Sequence, residues 1–295
     1  MFVAATVLAV ALVMMVIEAT RPGRSFPKVA NWYVRAFALN GFQAVSLLTV
    51  GRAADGFFQA HRPWSLDGLG PVGGALVGYL IHSFVYYWWH RWRHTSQFWW
   101  NVCHQLHHSP RRIEIITSFY KHPVEITLNS ILSSVITFAL LGVTVQAAAL
   151  YTVLAAVAEF FYHWNVRTPT WLGPVFQRPE SHRVHHKKSY HTNNYADLPV
   201  FDILFGTYEN PRTPVAECGF TPEREDRFED LIAFRDLHDK KVAASSPLHF
   251  LPTCIGCGKR WACHEARVGE RGEQASAPPR HTPPALATVG ARDDR

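Results

Sequence analysis

The apolar stretch from Val124 to about Tyr162 constrains this chain more than any other feature. A helix needs about 20 apolar residues to cross the hydrocarbon core of a bilayer, so the stretch is too long for one crossing and holds roughly two. Gly142 lies near its middle. The expected structure is a helical hairpin, which returns to the face it left. Whatever precedes Val124 and whatever follows Tyr162 then share one side of a membrane.

Further spans fit around the hairpin. Residues 2–17, FVAATVLAVALVMMVI, are uninterrupted and apolar. No basic segment precedes them and no clear cleavage site follows, so a transmembrane helix is expected rather than a signal peptide. Residues 32–50, with Arg35 near one end, form either a second span or an amphipathic helix lying in the interface. A third span runs from Pro71 to Trp89 and closes on YYWW, an aromatic group suited to the headgroup boundary. The expected fold class is an all-α integral membrane bundle of about four to five transmembrane helices, capped by a helical segment over residues 165–215. A mean hydropathy of -0.05 looks soluble only because a polar tail is averaged with an apolar body.

Charge sets the expected orientation. Arg21, Arg24 and Lys28 follow the first span, and Arg91, Arg93, Arg111, Arg112, Lys121, Arg178, Arg183, Lys187 and Lys188 surround the later polar segments. The loop of residues 51–70 has only Arg52 and Arg62, offset by Asp55 and Asp67. With five spans the basic segments fall on one face, which the positive-inside rule makes cytosolic. If residues 32–50 lie in the interface, that face stays inside and the N-terminus changes sides. The net charge of +6 is read as membrane orientation and contact with anionic headgroups. No basic face on a soluble domain points to nucleic acid. The cysteines show no disulfide spacing, and Cys103 is expected to be reduced.

The polar islands carry the chemistry. Eleven of 17 histidines lie between His82 and His186, so placement matters more than number. His90 and His94, in HRWRH, are spaced i, i+4 and share a helix face. His104, His107 and His108, in HQLHH, repeat that logic, and His182, His185 and His186, in HRVHH, repeat the same offsets. His163 closes the return helix in EFFYHW. One HxxxH arises by chance on many helices, and one HxxHH can be surface. Three clusters and His163 on one membrane face are hard to explain that way. Nine imidazoles exceed the six ligands that one ion rarely surpasses, which argues for two ions; imidazole suits iron, copper, nickel and zinc. His61, His82, His238, His249, His264 and His281 are not expected to be ligands.

The stretches YYWWHRWRH, NVCHQLHHSP, EFFYHW and SHRVHHKKSYHTNNYADLPVFDILFGTYENP resemble the fatty acid hydroxylase/sterol desaturase superfamily of membrane-bound histidine-box oxygenases, over about residues 75–213. The resemblance implies a di-iron centre that uses O2 for hydroxylation, desaturation or ether cleavage of a lipid (sterol, fatty acyl or alkylglycerol). It implies two iron ions as cofactor, a lipid arriving from the bilayer, and electrons from a b-type cytochrome or a ferredoxin with its reductase. Carried over residue by residue, His90, His94, His104, His107, His108, His182, His185 and His186 match the three histidine boxes, with His104, His108, His182 and His186 as catalytic candidates. His163 matches a further ligand position. Glu159 stands where some relatives have histidine, and either ligates metal or orients an imidazole. His122, in YKHPVE, is either a tenth ligand or the end of a loop before a helix, and His191 is a supporting or capping residue. Relatives often carry an acid upstream of the first box, where this chain reads LIHSFVYY without one.

The implied organisation is an N-terminal transmembrane region (1–70), a catalytic domain (71–215) and an extension (216–295) that is weakly helical over 219–242 and has little order beyond about Ala243. Trp88, Trp89, Trp99 and Trp100 are read as a headgroup belt, with lining of the lipid's path as the other role. CIGCGKRWACH (Cys254, Cys257, Cys263, His264) has a gap too short for common zinc modules. A non-catalytic or transport-type metal protein is the competing function, but a transporter would place its ligands near the midplane rather than at helix ends.

Overall fold

The computed structural model describes residues 2–237. The tail calls, Cys254, Cys257, Cys263 and His264 among them, lie outside the described residues. Within them the chain is all-helical.

Among the described residues, four helices are long and apolar enough to cross a membrane: Val3–Thr20, Asp67–Thr95, Pro123–Leu140 and Val145–His163. They belong to α1 (Phe2–Thr20), α3 (Gly70–Thr95), α5 (residues 123–140) and α6 (Val145–His163). Between α1 and α3, residues 32–60 form one helix, α2, with a π-helical turn at Leu47–Gly51. The helix packs against α5 and the segment ahead of it. Asn40 bonds the carbonyl of Ile116 ahead of α5, Ser46 meets Ser130, and Asp55 accepts from Ser134. It therefore follows α5 along much of its length, and Arg35, Arg52 and Asp55 are what make it less apolar than the other four.

The hairpin of α5 and α6 turns at Gly142, whose φ of 58° is the left-handed conformation that glycine adopts without penalty. A Cβ there would sit 2.2 Å from the carbonyl oxygen of Trp64. The loop before α3 is seated on this turn, with Leu66 N–H bonded to Gly142 O and the Trp64 indole to Leu140 O. Gly74 lets α3 approach α6 closely, since a Cβ would meet that of Ala147 at 2.8 Å. Thr144 caps α6 by accepting from Ala147 N–H.

Opposite the hairpin turn, the ends of α3 and α6 meet the cap. It consists of a helix over residues 97–108 (α4, with a π-helical turn at Trp100–His104), α7 (Pro179–His185) and α8 (Pro199–Phe205). Two short helices, Pro222–Glu225 and Phe228–Ile232, close its edge. Glu18 at the end of α1 accepts from the backbone N–H of Ile115 and Asn165, pinning the first span to this face.

Candidate metal centre

Nine histidines assemble into two groups inside the protein. His90, His94, His104, His108 and His185 form one, and His107, His163, His182 and His186 the other; within each group the donor atoms lie within 4.8 Å of one another. The boxes are shared out in a reciprocal way. In HQLHH the i, i+4 pair joins the first group and the middle His107 the second. In HRVHH the i, i+4 pair joins the second and His185 the first. The two groups touch, with the rings of His108 and His186 stacked at 4.2 Å.

Backbone carbonyls aim several of these rings. Nδ1–H of His90 donates to Tyr195 O and that of His185 to Asn193 O, each at 2.7 Å. His107 donates to Tyr120 O at 3.3 Å and His163 to Glu159 O at 2.9 Å. A carbonyl can only accept, so the proton of each neutral ring is on Nδ1 and the Nε2 lone pair points inward. Among the described residues, Nε2 of His90, His94 and His185 is buried with no hydrogen-bond partner. In the second group Nε2 of His163 lies 3.4 Å from that of His107 and 3.1 Å from that of His182, which is 3.1 Å from His186 Nε2. Facing lone pairs repel unless a cation lies between them. Ligand nitrogens at about 2.1 Å from a shared ion sit about 3.0–3.4 Å apart, which is the spacing seen. Burial, helped by mutual repulsion, holds His104, His107, His108, His182 and His186 well below histidine's ordinary range, and burial takes His185 down to about 3. Neutral imidazole is the form that ligates metal. The donor set fits two metal ions.

The loop after α7 supplies two of those carbonyls. Ser189, His191, Asn193 and Asn194 all have positive φ, a conformation that Asn tolerates better than most residues. Asp202 accepts from the N–H of Tyr195 and Ala196 and from the Thr207 hydroxyl. Asn194 bonds Ser181 O and Glu209 N–H through its side chain. The NNYAD and FDILFGTY segments thus form a brace that presents Asn193 O and Tyr195 O to the rings.

Other candidates fall elsewhere. His122 belongs to neither group. Its Nδ1 caps α5 by accepting from Val124 N–H, its Nε2–H donates to Ile232 O, and Pro123 occupies the first helical position. Glu159 also lies outside both groups. Its carboxylate pairs with Lys121 at 2.8 Å and lies 3.6 Å from His163 Nδ1. His191 packs behind His108, their Nδ1 atoms 3.0 Å apart. Trp100 is buried against the rings of His94 and His108 and forms a wall of the centre, while Trp89, Trp92 and Trp99 cluster edge to face. A buried acid from another element stands beside the first histidine group. Glu125, in the first turn of α5, contacts His104 Nδ1 and Arg93. Its signal in the sequence is a charge entering an apolar helix, which is costly without a partner.

Membrane-length helices carrying two adjoining buried all-histidine groups at one end define a class of membrane protein whose groups could each hold a metal ion. Residues 75–207 match the family described as fatty acid hydroxylase, and this part of the chain, which carries all nine histidines, belongs to that family. The chain is 32% identical over 146 residues to an ornithine lipid hydroxylase of Rhizobium tropici, covering 48% of this chain and 43% of that protein. It is 31% identical over 137 residues to methylsterol monooxygenase 2-2 of Arabidopsis thaliana (45% and 51%) and 30% identical over 133 residues to alkylglycerol monooxygenase of Homo sapiens (43% and 28%). The chain spans about half the length of the first of these curated relatives. No solved structure gives a significant match.

Proposed function

We propose that the protein is a membrane-bound di-iron oxygenase that uses O2 and external electrons to hydroxylate or desaturate a lipid. The observation that carries this reading is the pair of adjoining histidine groups, five and four residues strong, whose inward Nε2 atoms stand at metal-ligand spacing. Iron is favoured by family membership, since imidazole alone would equally suit copper, nickel or zinc. Bound there, two iron ions would supply the reductive activation of O2 that oxidation of an unactivated C–H bond requires.

The chain's own residues prepare the site for that chemistry. Asn193 O, Tyr195 O, Tyr120 O and Glu159 O hold ring orientation, which removes reorganisation from the moment of reaction. Trp100, Leu106 and Tyr195 are buried and keep bulk water away. The ligands gather where α3 and α6 end, so a lipid tail lying along α3, α5 and α6 would bring its carbon to the centre from the bilayer side. The electrons would come from a separate donor, a b-type cytochrome or a ferredoxin. By the positive-inside rule the face that carries the cap is cytosolic. The relatives oxidise lipids of several kinds by name, and sterol, fatty acyl and alkylglycerol substrates remain within this proposal.

Metal analysis of the purified full chain tests the reading. About two irons per chain are expected, lost in a His107→Ala/His185→Ala variant because each substitution opens one group. A folded preparation without bound metal would overturn it. Lipid profiles of cells with and without the gene, grown under labelled O2, would then identify the product.

A further inference from the structure

We infer that Glu125, held by Arg93, is a positioning residue for the metal centre: its carboxylate fixes the His104 imidazole for the five-histidine group. The inference rests on the reading of these histidines as metal ligands. Glu125 is fully buried and Arg93 nearly so, and the two form a direct ion pair. Burying such a pair in the end of a membrane helix is costly, and packing alone would be served better by apolar side chains. Both partners belong to the machinery. Arg93 lies within HRWRH beside His94, and Glu125 occupies the third position of α5, where the helix N-terminus favours a carboxylate.

The geometry singles out His104. Its Nδ1 lies 3.2 Å from Glu125 Oε2. Arg93 Nη1 is also 3.2 Å from that nitrogen and pairs with the other carboxylate oxygen. With Nδ1–H donated to Glu125, Nε2 presents its lone pair beside His108 Nε2, 3.1 Å away. His90, His107, His163 and His185 each find a backbone carbonyl for this task. The contacts of His104 Nδ1 are Glu125 and Arg93 instead. The second group has an analogous arrangement in Lys121, Glu159 and His163, but there the imidazole already donates to a carbonyl and the carboxylate stands back at 3.6 Å. Glu125 should therefore matter more than Glu159, and it should matter to one ion only. Carboxylates behind a ligating imidazole fix its tautomer and raise its basicity.

The test uses the iron-loaded full chain in detergent, with the wild type measured first. Wild-type protein that binds no metal would overturn the underlying metal reading and leave the carboxylate question behind it. With two ions bound, Glu125→Gln is expected to weaken one of them about 10–100-fold, so that limiting iron leaves one ion per chain. The Mössbauer doublet of that iron should change while the other stays. Glu125→Asp, which restores the charge, should recover part of the affinity, and Glu159→Gln should change it less. Far-UV circular dichroism establishes that each variant is folded. If Glu125→Gln does not fold, Glu125→Asp decides, with an intermediate affinity and one altered doublet expected. Two ions at unchanged affinity and unchanged spectrum in Glu125→Gln would sink the inference. Equal weakening in the Gln and Asp variants would also sink it, because it would mark a packing role.

Discussion

At the scale of single residues, the histidine spacings were legible and their allotment was not. Offsets of three and four put a box on one side of a helix. Which metal group each ring joins depends on the partner helix it faces, so HQLHH and HRVHH divide between groups in a way that spacing does not contain. Supporting residues were harder still. Glu125 and Asp202 act across 21 and 7 residues of chain, on His104 and the Tyr195 backbone respectively. Asp202 offers a direct check. Its carboxylate takes three donors, and an amide in its place would turn an N–H₂ group toward a backbone N–H. Asp202→Asn should destabilise the fold by about 1–3 kcal/mol, the penalty of a mispaired buried polar group. It should also weaken metal binding by loosening the carbonyl that holds His90. Thermal unfolding in detergent together with iron content measures both, and a variant with wild-type values in each would remove the brace from the explanation.

At the scale of elements, the hairpin follows from length and one glycine, and those were visible because bilayer thickness is a fixed ruler. Residues 32–50 were ambiguous for a related reason. Arg35, Arg52 and Asp55 lower the hydropathy of a helix whose later part nevertheless runs beside α5, with Ser46 against Ser130, Asp55 answered by Ser134 and Arg35 by the carbonyls of Ala30 and Glu225. Such partners come from elsewhere in the fold, so periodicity does not show them. The turn itself yields a sharp expectation. Gly142→Ala meets two obstacles, a left-handed φ and the Trp64 carbonyl 2.2 Å from its Cβ. The conformational part alone is about 1–2 kcal/mol, and the clash adds to it by unseating the loop before α3. Unfolding in detergent should show a loss above that range. Gly68→Ala, in the same connection but with open space around it, serves as the control and should be near neutral.

At the scale of the whole molecule, helix direction and charge make one joint claim. α1 ends at the cap through Glu18, α2 leaves it, α3 returns, and the hairpin leaves and returns again, so the cap and the hairpin turn occupy opposite faces. The cap carries the basic segments, so the proposed orientation puts it in the cytosol. Cysteine labelling separates the two parts of this claim. Cys103 and Cys218 are buried, so a background with Cys254, Cys257 and Cys263 changed to serine should be quiet. Gly68→Cys lies on the exposed connection before α3 and Thr213→Cys on the exposed edge of the cap. In intact cells a membrane-impermeant maleimide should label Gly68→Cys and spare Thr213→Cys, and lysis should open both. The reverse pattern would turn the protein over while leaving the hairpin intact. Labelling of both sites in intact cells would instead break the hairpin topology, and with it the reason that three separated histidine clusters converge on one face.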